Sequence, residues 1–81
     1  MKTIERVQTG VRLEKHTLKV LKALAAHLEM GLGDLLEGVV LHAFEGKTAF
    51  SPATLAKIKQ LRSVLGLTLT AADSHKLREN P

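Results

Sequence analysis

Between Arg6 and Phe44 the chain runs, without a linker, from a short alternating segment into two helical segments parted by the turn Met30-Gly31-Leu32-Gly33. This order of elements constrains the fold more than any other feature. In RVQTGVRL, Val7, Thr9, Val11 and Leu13 fall on one face of an extended segment and Arg6, Gln8, Gly10 and Arg12 on the other, because side chains alternate across a strand. One face suits a core and the other a polar ligand.

From Glu14 or Lys15 the period changes to about 3.6. Leu18, Leu21, Leu24, Ala25 and Leu28 line one side of a helix reaching about Glu29, with Lys15, Lys19 and Lys22 around the other. Glycine in the following turn is expected to supply the left-handed residue that closes it. A second helix opens with Asp34 in its first turn, where a carboxylate suits the macrodipole. It carries Leu35, Leu36, Val39, Val40, Leu41, Ala43 and Phe44, a surface wider than one neighbour would cover, so burial on two sides is expected. Gly38 within it points to a close helix crossing. Gly46-Lys47-Thr48 ends the pattern. Ser51-Pro52 then starts a third helix, serine as N-cap and proline at the first helical position, with Leu55, Ile58, Leu61 and Leu65 as its stripe. Gly66 ends that helix. Thr70 and Asp73 resemble a capping box, which predicts a short last helix over Ala71 to Arg78.

At 81 residues, the chain is one small domain, and a domain of this size buries only about 60% of its unfolded surface. No cysteine can staple it, and Phe44 and Phe50 are the only aromatics, so oligomerisation is the expected supplement. The absence of cysteine fits a reducing compartment and excludes cysteine-based zinc sites. No stretch approaches the roughly 20 apolar residues of a membrane span, and MKTIERVQ is charged where a signal peptide needs an apolar core. A soluble, cytoplasmic protein is expected.

The net charge of +4 is unevenly placed. Residues 1–22 carry six Lys/Arg against two Glu, residues 23–46 carry four acids and no Lys/Arg, and residues 47–81 return to six against two. Such sorting suits a chain that meets a polyanion along one edge.

A strand with one apolar face must pair, and the only other candidate in the chain is the weak segment Gly66 to Thr70. The simplest partner is therefore the same strand of a second copy, and two such strands present a doubled set of Arg6, Gln8, Gly10 and Arg12. A two-stranded ribbon fits the major groove of B-DNA, where arginine pairs with guanine and glutamine with adenine. In this order and spacing, RVQTGVRLEKHTLKVLKALAAHLEMGLGDLLEGVVLHAF resembles the ribbon-helix-helix DNA-binding proteins of the CopG, MetJ and Arc type. The likeness covers about residues 6–45 and consists of a strand ending in V-R-L, an L-x-x-L-A run (Leu21 to Ala25), a turn and a D-L-L-E helix start. It implies an intertwined homodimer, mainly α with one short β-strand, whose intermolecular antiparallel ribbon reads bases through Gln8, Gly10 and Arg12. Arg6, Lys15, Lys19 and the Gly33 N–H are the implied phosphate or electrostatic contacts. Val7, Val11, Leu13, Leu36 and Val40 are the implied dimer core. Gly10 brings no side chain to the middle reading position, and Gly31-Leu32-Gly33-Asp34 stands where the family usually has a Ser or Thr cap.

The expected organisation is a DNA-binding and dimerisation domain over residues 1–46 and a helical extension over residues 47–81. Its function would be that of a sequence-specific transcriptional repressor on double-stranded DNA. The alternatives are an antitoxin whose C-terminal helices grip a toxin, and a structural dimerisation module without DNA binding. Catalysis is not expected: the chain has no cysteine nucleophile and no serine elbow, and Gly31-x-Gly33 follows a helix and lacks the rest of a dinucleotide fingerprint. His16, His27, His42 and His75 are never four apart, so neither a metal nor another cofactor is expected.

Overall fold

The structure, a computed structural model, describes residues 1–80 as three α-helices and one short 3₁₀ turn: α1 (Lys15–His27), α2 (Leu32–Phe44), α3 (Pro52–Val64) and η1 (Ala71–Asp73). Both α2 and α3 pack on α1. The core sits where α1 meets its two neighbours: Leu24, Ala25 and Leu35 are buried, and Leu21, Leu28, Val39, Phe50, Ile58 and Leu61 close around them. Val20, one turn before Leu24 on the same face, is buried as well. Residues 47–81 thus supply Phe50, Ile58 and Leu61 to the same core as residues 1–46.

No strand forms among the described residues, and the expected ribbon-helix-helix architecture is corrected accordingly. Residues 1–13 are an exposed arm with no regular secondary structure. The reason is physical: a strand exists only when a partner satisfies its backbone groups, and nothing among the described residues offers one to Arg6–Leu13. The Leu69 carbonyl in the weak candidate Gly66 to Thr70 instead accepts from the Arg62 guanidinium at 2.7 Å. Without pairing, the alternation loses its meaning, for Val7, Val11 and Leu13 are exposed along with Gln8, Gly10 and Arg12.

All three helices have 13 residues and end the same way. After α1, the Glu29 N–H donates to Ala26 O at 3.1 Å and the Met30 N–H to Ala25 O at 3.0 Å. After α2, the Gly46 and Lys47 N–H groups donate to Ala43 O and His42 O. After α3, Gly66 and Leu67 donate to Ser63 O and Arg62 O. Each is the double bond of a Schellman motif, which needs a left-handed residue just past the helix. Gly46 and Gly66, the residues at which the sequence ends α2 and α3, take that conformation at φ +69° and +73°. At the end of α1 the left-handed residue is not a glycine: Glu29 holds φ 56°, and Gly31 serves as the N-cap of α2.

Three further expectations are corrected. The predicted last helix stops after one 3₁₀ turn, where Ser74 turns extended at ψ 134° and His75 follows left-handed at φ 65°. The Asp73 carboxylate does reach back to accept from the Thr70 N–H at 2.8 Å, as the sequence anticipates. Gly38 marks no crossing, since a Cβ built there meets nothing within 4 Å. Finally, α2 is covered on one side only, leaving Val40, Leu41 and Phe44 in solvent. α3 opens as expected, with Ser51 Oγ accepting from the Thr54 N–H at 3.2 Å and Pro52 at the first helical position.

These observations predict two stabilising substitutions. A non-glycine residue in the left-handed region costs about 1–2 kcal/mol, and a glycine inside a helix about 1 kcal/mol relative to alanine. Glu29→Gly and Gly38→Ala should each raise the unfolding free energy by about 1 kcal/mol. Urea denaturation followed by circular dichroism measures both, and a loss of stability at Gly38→Ala would mean that the space beside α2 is filled.

Candidate nucleic-acid interface

Because α1 is flanked by α2 and α3, it keeps one free face, and its lysines lie there. Lys15, Lys19 and Lys22 recur at i, i+4 and i+7, the spacing that stacks side chains along one side of a helix, and all three are exposed. No ion pair among the described residues involves any of them. The stripe begins where the basic arm ends, so Lys2, Arg6 and Arg12 extend the same positive region in sequence.

The arm's arginines are engaged within the chain. Arg6 Nη1 donates to Glu37 Oε2 on α2 at 2.6 Å. Arg12 Nη2 donates to both carboxylate oxygens of Glu79, at 2.9 and 2.7 Å. Both pairs are solvent-exposed, the Arg12 side chain at 84%, and exposed pairs contribute only about 0–1 kcal/mol. They tether the arm without locking it. Gln8 and Gly10 lie exposed between the two anchors.

The start of α1 is already occupied by an anion of the chain's own. The Glu14 carboxylate caps the helix: Oε2 accepts from the His16 N–H at 2.9 Å and Oε1 from the Thr17 N–H at 2.8 Å. His16 Nδ1 at 2.9 Å and Thr17 Oγ1 at 3.0 Å add side-chain donors, the imidazole donating in its Nδ1-protonated form. Ser, Thr, Asp and Asn are the usual N-caps, which is why residue type alone misses this one; the signal is the run Glu14-x-His16-Thr17, with donors two and three residues on. The His16 backbone N–H, then its ring, then the Thr17 N–H hold the Glu14 carboxyl down to about 2. A phosphate at this helix end would meet that charge.

At α2 the situation is reversed. Gly31 caps it without any side-chain hydrogen bond, so the first-turn N–H groups, Gly33 among them, stay open, beside the exposed Asp34. Of the expected dimer-core residues, Val7, Val11, Leu13 and Val40 are exposed and Leu36 half-buried. Glu37 and Glu79 are partners that sequence reasoning missed, since contacts 31 and 67 residues apart leave no local pattern. His42 Nδ1 sits 2.7 Å from Gly38 O within its own helix. No group of three potential metal ligands occurs among the described residues, and no described helix is long and apolar enough to cross a membrane. Comparison with known proteins finds no matching family model, no similar curated protein and no similar solved structure.

The Glu14 cap carries a pH signature. Its carboxyl is lower in the folded state than its ordinary 4.5, so the stabilisation is complete above pH ~4.5 and is lost as pH falls toward about 2. Thermal melts should show stability declining across that window, and Glu14→Gln should flatten the decline and lower the melting temperature at neutral pH. An unchanged pH profile in the variant would remove Glu14 from the cap.

Proposed function

We propose that the chain is a double-stranded-DNA-binding transcriptional regulator that acts as a homodimer. The observation that carries this reading is the unpaired stripe Lys15, Lys19, Lys22 on the free face of α1, continuous in sequence with the basic arm. Lys15 to Lys22 spans about 10 Å of helix at 1.5 Å per residue, and one DNA strand presents a phosphate about every 3.4 Å along its axis. Three lysines therefore match a run of neighbouring phosphates.

Phosphate contacts position a protein, and base contacts specify sequence. In the proposed complex the arm supplies the second kind. Unpaired and exposed, it reaches a groove alongside the helix, where the Arg12 fork suits guanine O6 and N7 and the Gln8 amide suits adenine N6 and N7. Guanine competes with Glu79 for Arg12, and an exposed pair this weak exchanges readily, while Arg6 stays on Glu37. Gly33 offers a backbone N–H to a phosphate in the same way that other open helix starts do.

The dimer follows from the bare side of α2. Phe44 is 80% and Leu41 61% exposed on the side of the helix away from Leu35, and a helix that is apolar all round is normally buried all round. Glu37 shares that outer side but is neutralised by Arg6. Two copies meeting there about a twofold axis would cover these side chains in both chains at once.

Two measurements test this reading. In fluorescence anisotropy with a duplex selected from a random library, affinity should fall steeply with salt, and Lys15→Gln, Lys19→Gln and Lys22→Gln together should reduce the slope by about 0.9 for each lysine that meets a phosphate. Arg12→Ala should cost roughly 1–3 kcal/mol per lost bidentate pair on the selected duplex and far less on a scrambled one. No salt-sensitive binding by the wild type at 50–100 mM salt (an assay setting on the order of those where such slopes are read) would overturn it. In sedimentation, Phe44→Glu should turn a dimer into a folded monomer; a wild type that is monomeric at micromolar concentration would remove the α2 interface.

A further inference from the structure

Between the start of α1, the segment after α3 and the C-terminal residues lies a cleft of about 630 Å³, within the range of small-ligand sites. Four leucines, Leu13, Leu67, Leu69 and Leu77, give its walls their apolar part, with His16, Thr68 and Asn80 beside them. Its rim is cationic, formed by Arg12, Lys15 and Arg78. Neither Lys15 nor Arg78 has an ion-pair partner among the described residues. Of the two acids that line it, Glu14 is committed to the α1 cap and Glu79 to Arg12. The wall after α3 is held in place by two bonds, Arg62 Nη2 to Leu69 O at 2.7 Å and the Leu67 N–H to Arg62 O at 2.9 Å.

We propose that this cleft binds a small apolar carboxylate, its anionic group on Arg12 and its hydrocarbon part against the four leucines. Glu79 marks the anion position, for it is itself a carboxylate, with both oxygens on the single nitrogen Nη2 of Arg12 and two residues along from a leucine of the wall, Leu77. The guanidinium has further N–H donors with which to meet a carboxylate side-on. An incoming carboxylate would displace Glu79 one for one, with no change in the charge on Arg12, and would add the burial of apolar surface that the glutamate side chain lacks. Lys15 and Arg78 give the cleft its excess of positive charge and disfavour a cationic occupant.

The site shares Arg12 and Lys15 with the proposed DNA contact, and it is tested without DNA so that its failure and the failure of that reading are distinguishable. Octanoate, with 1-octanol as the uncharged control, is titrated into the full chain while leucine methyl resonances are followed by NMR. Saturable shifts at Leu13, Leu67, Leu69 and Leu77 with octanoate, and none that saturate with octanol, are expected. Arg12→Ala should weaken octanoate binding, and Glu79→Gln should tighten it by up to about fivefold, the worth of an exposed competing ion pair. The Arg12 side chain is 84% exposed, so both variants should keep the wild-type spectrum elsewhere. Shifts that never saturate, equal effects of octanol, or binding unchanged by Arg12→Ala would each overturn the proposal.

Discussion

Every element of this small structure depends on α1 being shared. Leu24 and Ala25 are the contact through which both neighbouring helices find a core, with Leu35 arriving from α2 and Ile58 and Leu61 from α3. Leu24, at 2% exposure, is the most buried of them. A helix packed from two sides retains one free face, and any residues placed there are presented to solvent on a rigid support. The lysine stripe is thus a consequence of packing as much as of charge: with one neighbour fewer, α1 would have no defined direction in which to aim it.

How far the sequence discloses this structure depends on the range of each interaction. Elements determined within a turn or two are legible: the 3.6-residue period of α1 and α2, the Ser51-Pro52 start of α3, and the breaks at Gly46 and Gly66 that end α2 and α3. Val20 could have been read from its i, i+4 relation to Leu24. What depends on a distant partner is not legible. The alternation of Arg6 to Leu13 is a statement about a strand only if another strand lies beside it, and no strand forms among the described residues. The lysines of the candidate site, Lys15 and Lys19, could be placed on the solvent side of a helix because the period is local; the partners of Arg6 and Arg12 could not, because Glu37 and Glu79 are 31 and 67 residues away. Glu29 is a subtler case. Glycines stood two and four residues beyond it, yet the hydrogen bonds of Met30 to Ala25 and Glu29 to Ala26 placed the left-handed conformation on a glutamate.

The unequal covering of α2 deserves to be set against the size of the core. Its inner side supplies Leu35 and Val39, while Leu41 and Phe44 on the outer side remain exposed. Placing a phenylalanine in water forgoes roughly 1.5–3 kcal/mol of burial, a quantity comparable with a large fraction of the stability of a domain this small. That imbalance makes a covered outer side thermodynamically reasonable, and the Arg6–Glu37 pair removes the principal objection, an unpaired carboxylate in the middle of the patch.

The same arm that carries Arg6 carries Arg12, and the two are held differently. Arg6 is tied to a helix and Arg12 to an irregular segment past the last 3₁₀ turn, so freeing Arg6 leaves its acceptor fixed in place, whereas freeing Arg12 also frees the residues that bear its acceptor. An anion that captured Arg12 would do so at the small cost of one exposed pair. Lys15, the first lysine of the stripe, lines the same cleft as Arg12 and Glu79. Arg12 and the lysine stripe thus adjoin at one helix end, where the chain's own carboxylates are already seated, Glu14 on the first N–H groups of α1 and Glu79 on Arg12.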